Sequence, residues 1–267
     1  MLAFVTGASS GIGRDIAREL AKRGYDLIIT ARNEQKLSEL KNELERKYDI
    51  FVRVIIADLN KEKEVFELYK KIKNEKIDVF INNAGIGCVG EFWNTELNTE
   101  IEMLKVNNLA MHILFKLILK KMLCERNNKK KYILNVASLS GFMPGPRMSA
   151  YYATKAYTLN LTQGVYKELK MHNLDKNVSV SVLCPGPVYT NFCDRANVEF
   201  KTKYLSSKYT AQYAINNLFA EKLIIIPGLL NKCGHILGKV LPSKIIMLVI
   251  YRIQNVKNKT NKKAALI

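Results

Sequence analysis

Apolar residues gather along this chain in short, nearly unbroken runs, separated by segments in which they recur every three to four positions. The runs are Leu2–Thr6, Leu27–Thr30, Phe51–Ala57, Asp78–Asn82, Tyr132–Val136, Val178–Leu183 and Leu223–Ile226. A strand with one face in water alternates apolar and polar residues, whereas a strand covered on both faces reads as a continuous apolar run. Between the runs, Ile16, Leu20 and Ala21 share a helical face, as do Leu37, Leu40 and Leu44, and then Val65, Leu68 and Ile72. A strand–helix rhythm of this kind predicts an α/β fold: a doubly wound, mostly parallel sheet of about seven strands with helices on both faces.

The pattern changes near residue 228. Leu229, Leu230, Cys233, Ile236, Leu237, Val240 and Leu241 are spaced as one helical face, and Pro242-Ser243 restarts a helix through Ile245–Ile253. Residues 1–228 therefore read as one domain and residues 229–267 as an amphipathic, basic helical extension of it. At 267 residues and 48% hydrophobic content the chain suits one α/β domain with a large core.

Charge matters mainly in that extension. The chain carries +18 overall, and from Lys222 to Ile267 it has nine Lys and Arg and no Asp or Glu. An acid-free amphipathic segment suits an anionic membrane surface. It equally suits a cap on the domain or on a neighbouring subunit of a homo-oligomer. A nucleic-acid partner is not expected, because no recognition helix and no aromatic–basic interleaving accompanies the charge. Met1 leads straight into the first apolar run with no basic segment before it, and the longest late apolar run, Ile245 to Tyr251, is too short to span a bilayer. The cysteines (Cys88, Cys124, Cys184, Cys193, Cys233) are odd in number and form no C-x-x-C pair. Those features fit a reducing, cytoplasmic setting, with membrane contact through the tail as a variant of it. His112, His172 and His235 lie far apart, so no metal site is expected.

The first strand runs directly into Thr6-Gly7-Ala8-Ser9-Ser10-Gly11-Ile12-Gly13, and a helix follows at once. Glycines let the backbone turn tightly and approach a pyrophosphate, while the new helix offers free N–H groups and the positive end of its dipole. The second strand ends Thr30-Ala31-Arg32. An acidic residue at that place would bond a ribose 2′-hydroxyl and repel a 2′-phosphate, whereas the guanidinium of Arg32 can grip the phosphate, so NADP(H) is the expected cofactor. Further on, Tyr151 and Lys155 form a Y-x-x-x-K pair at i and i+4 on one helical face. An ammonium held beside a phenol favours the phenolate and draws its proton affinity toward working pH, as acid–base work at a carbonyl or alcohol requires. Ser138, following the fifth strand, can donate a hydrogen bond to a substrate oxygen.

With its T-G-x-x-x-G-x-G loop, the later Asn82-Asn83-Ala84-Gly85, and Ser138 thirteen residues before Tyr151-Tyr152-Ala153-Thr154-Lys155, the chain resembles the short-chain dehydrogenase/reductase superfamily. The resemblance is dense from Met1 to Phe192 and looser to Gly228. It implies a Rossmann-type fold and hydride exchange between a nicotinamide cofactor and a carbonyl or alcohol. It implies that Tyr151 is the acid/base, that Lys155 binds the nicotinamide ribose and lowers the tyrosine's pKa, and that Ser138 orients the substrate. Asn107, in Val106-Asn107-Asn108, would complete a proton relay. Asp58 matches the adenine-side aspartate, Asn83, Ala84 and Gly85 the fourth-strand cofactor segment, and Pro185, Gly186, Val188 and Thr190 the P-G-x-V-x-T that faces the nicotinamide amide. One position departs from many NADP-preferring members, which carry a second basic residue where this chain has Ser10.

Substrate should enter over the C-terminal ends of the strands. Val89–Trp93, Leu139–Met148 and Tyr189–Phe200 lie there and supply Phe92, Trp93, Phe142, Met143, Met148 and Phe192, which suggests a hydrophobic ketone or alcohol such as an acyl, lipid or steroid-like compound. The competing class is a cofactor-binding regulator of the same fold that has given up turnover. Loss of Tyr151, Lys155 or Ser138 would have marked it, and all three are present.

Overall fold

A computed structural model describes residues 1–125, 129–188 and 205–254, and the structural statements below concern these residues. Seven strands form one sheet in the order β3-β2-β1-β4-β5-β6-β7. They are β1 (Leu2–Thr6), β2 (Asp26–Ala31), β3 (Val52–Ile56), β4 (Val79–Asn82), β5 (Lys131–Val136), β6 (Val178–Leu183) and β7 (Ile224–Ile225). Every neighbouring pair is parallel. The expected doubly wound α/β sheet is therefore present, with its direction of winding reversed between β1 and β4, where open α/β sheets bind ligands.

The helices connecting them are α1 (Gly11–Ala21), α2 (Glu34–Lys47), α3 (Glu62–Ile72), α4 (Leu97–Leu104), α5 (Met111–Cys124), α6 (Ser149–Met171) and α7 (Ser207–Phe219). Alternate residues of each strand point to opposite sides. Ala3, Val5, Leu27 and Ile29 thus join α1, α2 and α7 in one core, while Phe4, Ile28, Phe80 and Ile133 join α3, α5 and the end of α6 in another. Phe4 and Phe80 stack with ring centroids 5.2 Å apart across the β1–β4 junction. Two asparagines inside the sheet are paired: Asn82 donates to the Met111 carbonyl (2.9 Å) and to Asn135 Oδ1 (3.2 Å), and Asn135 donates to Thr162 Oγ1 (3.0 Å). That chain of bonds ties β4 and β5 to α5 and α6, the elements that carry the candidate catalytic groups.

The extension forms two helices, α8 (Leu229–Val240) and α9 (Ser243–Gln254). Only part of it caps the domain. Helix α9 buries Ile246 and Ile250 and is tied down at its end, where Arg147 Nη1 donates to the Gln254 carbonyl (3.3 Å) and Gln254 Nε2 donates to Tyr152 Oη (2.8 Å). Helix α8 meets the domain through its polar and small side instead. His235 packs on Phe142 with centroids 3.9 Å apart, and Gly238 lies against Met143. The apolar face expected to cap the domain points outward, with Leu230 80% exposed and Val240 76% exposed. Among the described residues no helix is long and apolar enough to cross a membrane.

Candidate active site

The loop after β1 is packed so tightly that its glycines have no substitutes. Gly7 sits at φ +68°, and a Cβ there would lie 2.8 Å from Asn83 Nδ2 and 2.9 Å from Ala84 Cα. A Cβ on Gly13 would overlap the Asn83 amide and the Gly7 carbonyl. Asn83 braces the turn, donating from Nδ2 to the Thr6 carbonyl (3.0 Å), while Thr6 Oγ1 accepts from the Asn83 and Ala84 amides (2.9 and 3.0 Å). Ser9, Ser10, Gly11 and Ile12 complete the turn into α1 and are half-buried. Ser10 is extended and caps nothing with its side chain, and the first turn of α1 holds no acid. The first N–H groups of α1 are thus left for an anionic ligand, and the glycine cradle beside them fits a dinucleotide pyrophosphate.

Along the sheet edge, Arg32 follows β2 exposed and, among the described residues, without an ion pair. Asp58 follows β3, where its Oδ1 accepts from the Asn60 amide (3.1 Å). Gly85, after β4, is the point at which the remaining groups meet, since a Cβ on it would lie 3.3 Å from both Asn107 Oδ1 and Lys155 Nζ.

Asn107 lies in a π-helical turn, Lys105–Ala110, that joins α4 to α5. Wide turns of this type often occur at functional sites, because they displace one residue from the helical row. Here the displaced side chain is buried. Its Oδ1 accepts from the Ile86 amide (2.9 Å), and its Nδ2 donates to the Ile86 carbonyl (2.8 Å) and to Thr154 Oγ1 (3.1 Å). The adjacent Asn108 instead donates to the Thr154 carbonyl.

Tyr151 and Lys155 occupy the inner face of α6. Lys155 is buried, donates to the Val136 carbonyl (3.0 Å), and places Nζ 5.7 Å from the centre of the Tyr151 ring. Tyr151 packs with Met103 and Met148 and stands edge-on to Tyr152, 6.4 Å between centroids. The two neighbouring tyrosines thus part company: Tyr151 lies beside Lys155, whereas the Tyr152 phenol accepts from Gln254 and is pushed up in pKa by burial. Ser138, closing β5, accepts from the Ser140 amide (3.1 Å), and its Oγ reaches Ser140 Oγ (3.1 Å) and the Pro185 carbonyl (3.4 Å). Pro185 is buried, Gly186 lies beneath the Asn231 side chain, and Val188 bridges to Leu205. Thr190 and Phe192 lie outside the described residues.

Burial opposes the Lys155 ammonium more than nearby Cys184 favours it, and its pKa falls from 10.5 to about 8. The folded protein therefore bears the full cost of this charge below about 8, and the cost is relieved as pH rises from about 8 to the ordinary 10.5. In denaturant unfolding without ligand, the wild-type chain should gain stability relative to Lys155→Met on going from neutral pH to about 10. A gap between the two that stays constant would mean that Lys155 is not a buried charge.

Sequence reasoning missed three participants. Thr6 and Thr154 sit inside quoted motifs, but their roles as braces depend on backbone amides that spacing does not reveal. Arg147, at φ +67°, ties Glu91 (3.4 Å) to the end of α9 and had no signal beyond its place between Pro146 and Met148. On the substrate side, Phe142 and Met143 are half-buried under α8, against His235 and Gly238. The expectation fails for Phe92 and Trp93, which face solvent at 63% and 79% exposure, and for Met148, which is buried beneath Tyr151. A phenol beside a buried ammonium, with a serine hydroxyl on the next strand end and an anion cradle across Gly85, suits acid–base work on an oxygen next to a bound dinucleotide.

Comparison with known proteins agrees with that chemistry. A family model described as short chain dehydrogenase matches residues 1–199. An uncharacterized oxidoreductase of Staphylococcus saprophyticus is 34% identical over 191 residues, covering 71% of this chain and 79% of that protein. The very-long-chain 3-oxoacyl-CoA reductase of Rattus norvegicus is 34% identical over 196 residues, covering 70% of this chain but only 59% of the longer rat protein. Among solved structures, a short-chain dehydrogenase from Sphingobium yanoikuyae in complex with NADPH superposes with a TM-score of 0.79 at 26% identity, covering 90% of this chain and 96% of that one.

Proposed function

The chain belongs to the short-chain dehydrogenase/reductase family, and on that premise we propose that it is an NADP(H)-dependent oxidoreductase that interconverts a hydrophobic ketone and its alcohol. The observation that carries this reading is the meeting of Lys155 and Asn107 at Gly85, with Tyr151 beside Lys155, next to the glycine cradle of the first loop. When bound there, a nicotinamide dinucleotide supplies the hydride for reduction or takes it up in oxidation.

The chain's own residues handle the rest. Gly7, Gly13 and the open first turn of α1 hold the pyrophosphate, and Arg32 holds a 2′-phosphate. Tyr151 gives its phenolic proton to the oxygen of the carbonyl as that oxygen becomes an alkoxide, and takes the proton back in the reverse direction. Lys155 favours the phenolate by charge and, through the Val136 carbonyl, is fixed at the depth of the ring. Ser138 Oγ turns from Ser140 and Pro185 to donate to the same substrate oxygen, where charge develops. Asn107, held at both its amide atoms by Ile86, keeps the floor under Lys155 polar. An acyl or similarly lipid-like ketone suits the apolar residues at this edge, Phe142 and Met143 among them, in keeping with the substrate named for the rat relative.

Purified protein assayed with NADPH and NADH against a panel of acyl and steroid ketones tests the reading, and absence of turnover with either cofactor across the panel would reject it. Cofactor choice has its own test. A guanidinium–phosphate hydrogen bond contributes about 1.5–3 kcal/mol, so kcat/KM should favour NADPH over NADH by roughly ten- to hundred-fold. Arg32→Asp should reverse that ratio. An unaltered ratio in the variant would mean that the 2′-phosphate is read elsewhere.

A further inference from the structure

The outward apolar face of α8 lies directly opposite the side that holds the helix to the domain. At helical spacing, Leu229, Leu230, Cys233, Ile236, Leu237 and Val240 fall on one arc, and Asn231, His235 and Gly238 on the other. On α9 the same division recurs. Ile246 and Ile250 turn inward, while Ile245, Leu248, Val249 and Arg252 form an exposed stripe. Two consecutive helices thus offer leucine, isoleucine and valine to the outside, and the segment that holds them has nine basic residues and no acid.

A third apolar element joins them. Glu91 accepts from Tyr251 Oη of α9 (3.3 Å) and pairs with Arg147 (3.4 Å), which also bonds the end of α9. The residues that follow Glu91 are Phe92 and Trp93, both strongly exposed. The three elements follow β4 and β7, so they lie with the Leu139–Phe142 segment at the C-terminal edge of the sheet, where substrate enters.

We propose that α8, α9 and the Phe92–Trp93 tip together form a docking surface for an anionic lipid bilayer, at the C-terminal edge of the sheet. Charge selects the bilayer over an apolar protein partner: Lys232, Lys244 and Arg252 are exposed on α8 and α9 with no carboxylate in either helix, and Glu91, the acid next to Phe92, is paired with Arg147. A lipid-like ketone dissolved in the membrane would then reach Tyr151 and Ser138 without crossing water. Docking is read without turnover, so its failure would leave the redox reading standing, and the reverse also holds.

The chain contains a single tryptophan, which makes Trp93 a built-in reporter. Full-length protein should sediment with vesicles of phosphatidylcholine and phosphatidylserine, with a blue shift of Trp93 emission. Binding should fall at least ten-fold when phosphatidylserine is left out, and by a similar factor in high salt, where screening shortens the reach of each charge. The outward pair Leu230→Glu with Leu237→Glu should abolish sedimentation while far-ultraviolet circular dichroism and NADPH binding stay unchanged. Lys244→Glu with Arg252→Glu should do the same. Binding indifferent to lipid charge, or no binding, overturns the proposal. So does a change in the sedimentation coefficient of the leucine variants in the absence of vesicles, because that would make a second copy of the chain the occupant of this face.

Discussion

Tyr151→Phe is expected to abolish measurable carbonyl reduction while leaving the dissociation constant for NADPH within about two-fold of wild type. The variant keeps the ring and its packing on Met103 and Met148, and removes only the oxygen that carries the proton. A positioned acid typically contributes 10²–10⁴-fold, so kcat/KM should fall by roughly that factor, equivalent to about 3–5 kcal/mol of transition-state stabilisation. The control is next door. Tyr152→Phe loses its bond from Gln254 and so loosens the end of α9, but it leaves Lys155 and the Tyr151 phenol in place. Its effect on kcat should be several-fold at most. Equal losses in the two variants would assign the proton to neither tyrosine alone and would remove the basis for separating them.

Gly13→Ala is the second large effect. Its methyl group would land on the Asn83 amide and on the Gly7 carbonyl, and the carbonyl cannot move without opening the turn that Thr6 and Asn83 brace. Overpacking of this kind costs roughly 1–3 kcal/mol of stability. The turn that gives way is the one that would hold the pyrophosphate, so NADPH affinity should fall by at least about ten-fold as well. Gly164→Ala, on the exposed side of α6 with open space around its Cβ position, is the matched control and should stabilise by about 0.5–1 kcal/mol. Urea unfolding and NADPH titration of both variants check the pair. Normal cofactor affinity in Gly13→Ala would mean that the first loop is not the cradle.

The strands were legible because each is buried on both faces and carries its own apolar signature. All seven were expected within a few residues of where they lie, and the largest trims fall on the strands at the sheet's outer edges, β3 and β7. The candidate site was legible for a different reason. Groups such as Tyr151 and Lys155 are set by helical spacing, and Gly7 and Gly13 by a turn that tolerates nothing larger. What depends on the meeting of distant segments could not be read. Asn107 was named through the family resemblance, but the π-helical turn that brings it to Lys155 has no periodicity to announce it, and Arg147 links a substrate loop to a helix a hundred residues away. The amphipathic pattern of α8 was visible, but a pattern marks a face without saying which way it points. Here the polar side meets the domain because His235 packs on Phe142 and Asn231 roofs Gly186.

The placement of β1 at the middle of the sheet also sets a timetable for synthesis. One edge of β1 is bonded by β2, which follows it closely; the other waits for β4, whose Val79, Phe80 and Ile81 pair with Ala3, Phe4 and Val5. Until the ribosome has delivered Val79–Asn82, the emerging chain therefore holds an apolar strand with one row of amides and carbonyls unmet, the arrangement that invites pairing with another chain. Phe4 meets its stacking partner Phe80 at the same moment. When the fourth strand slots into place that edge of β1 is met, and the open row passes to β4, where it stays until Lys131–Val136 has been made.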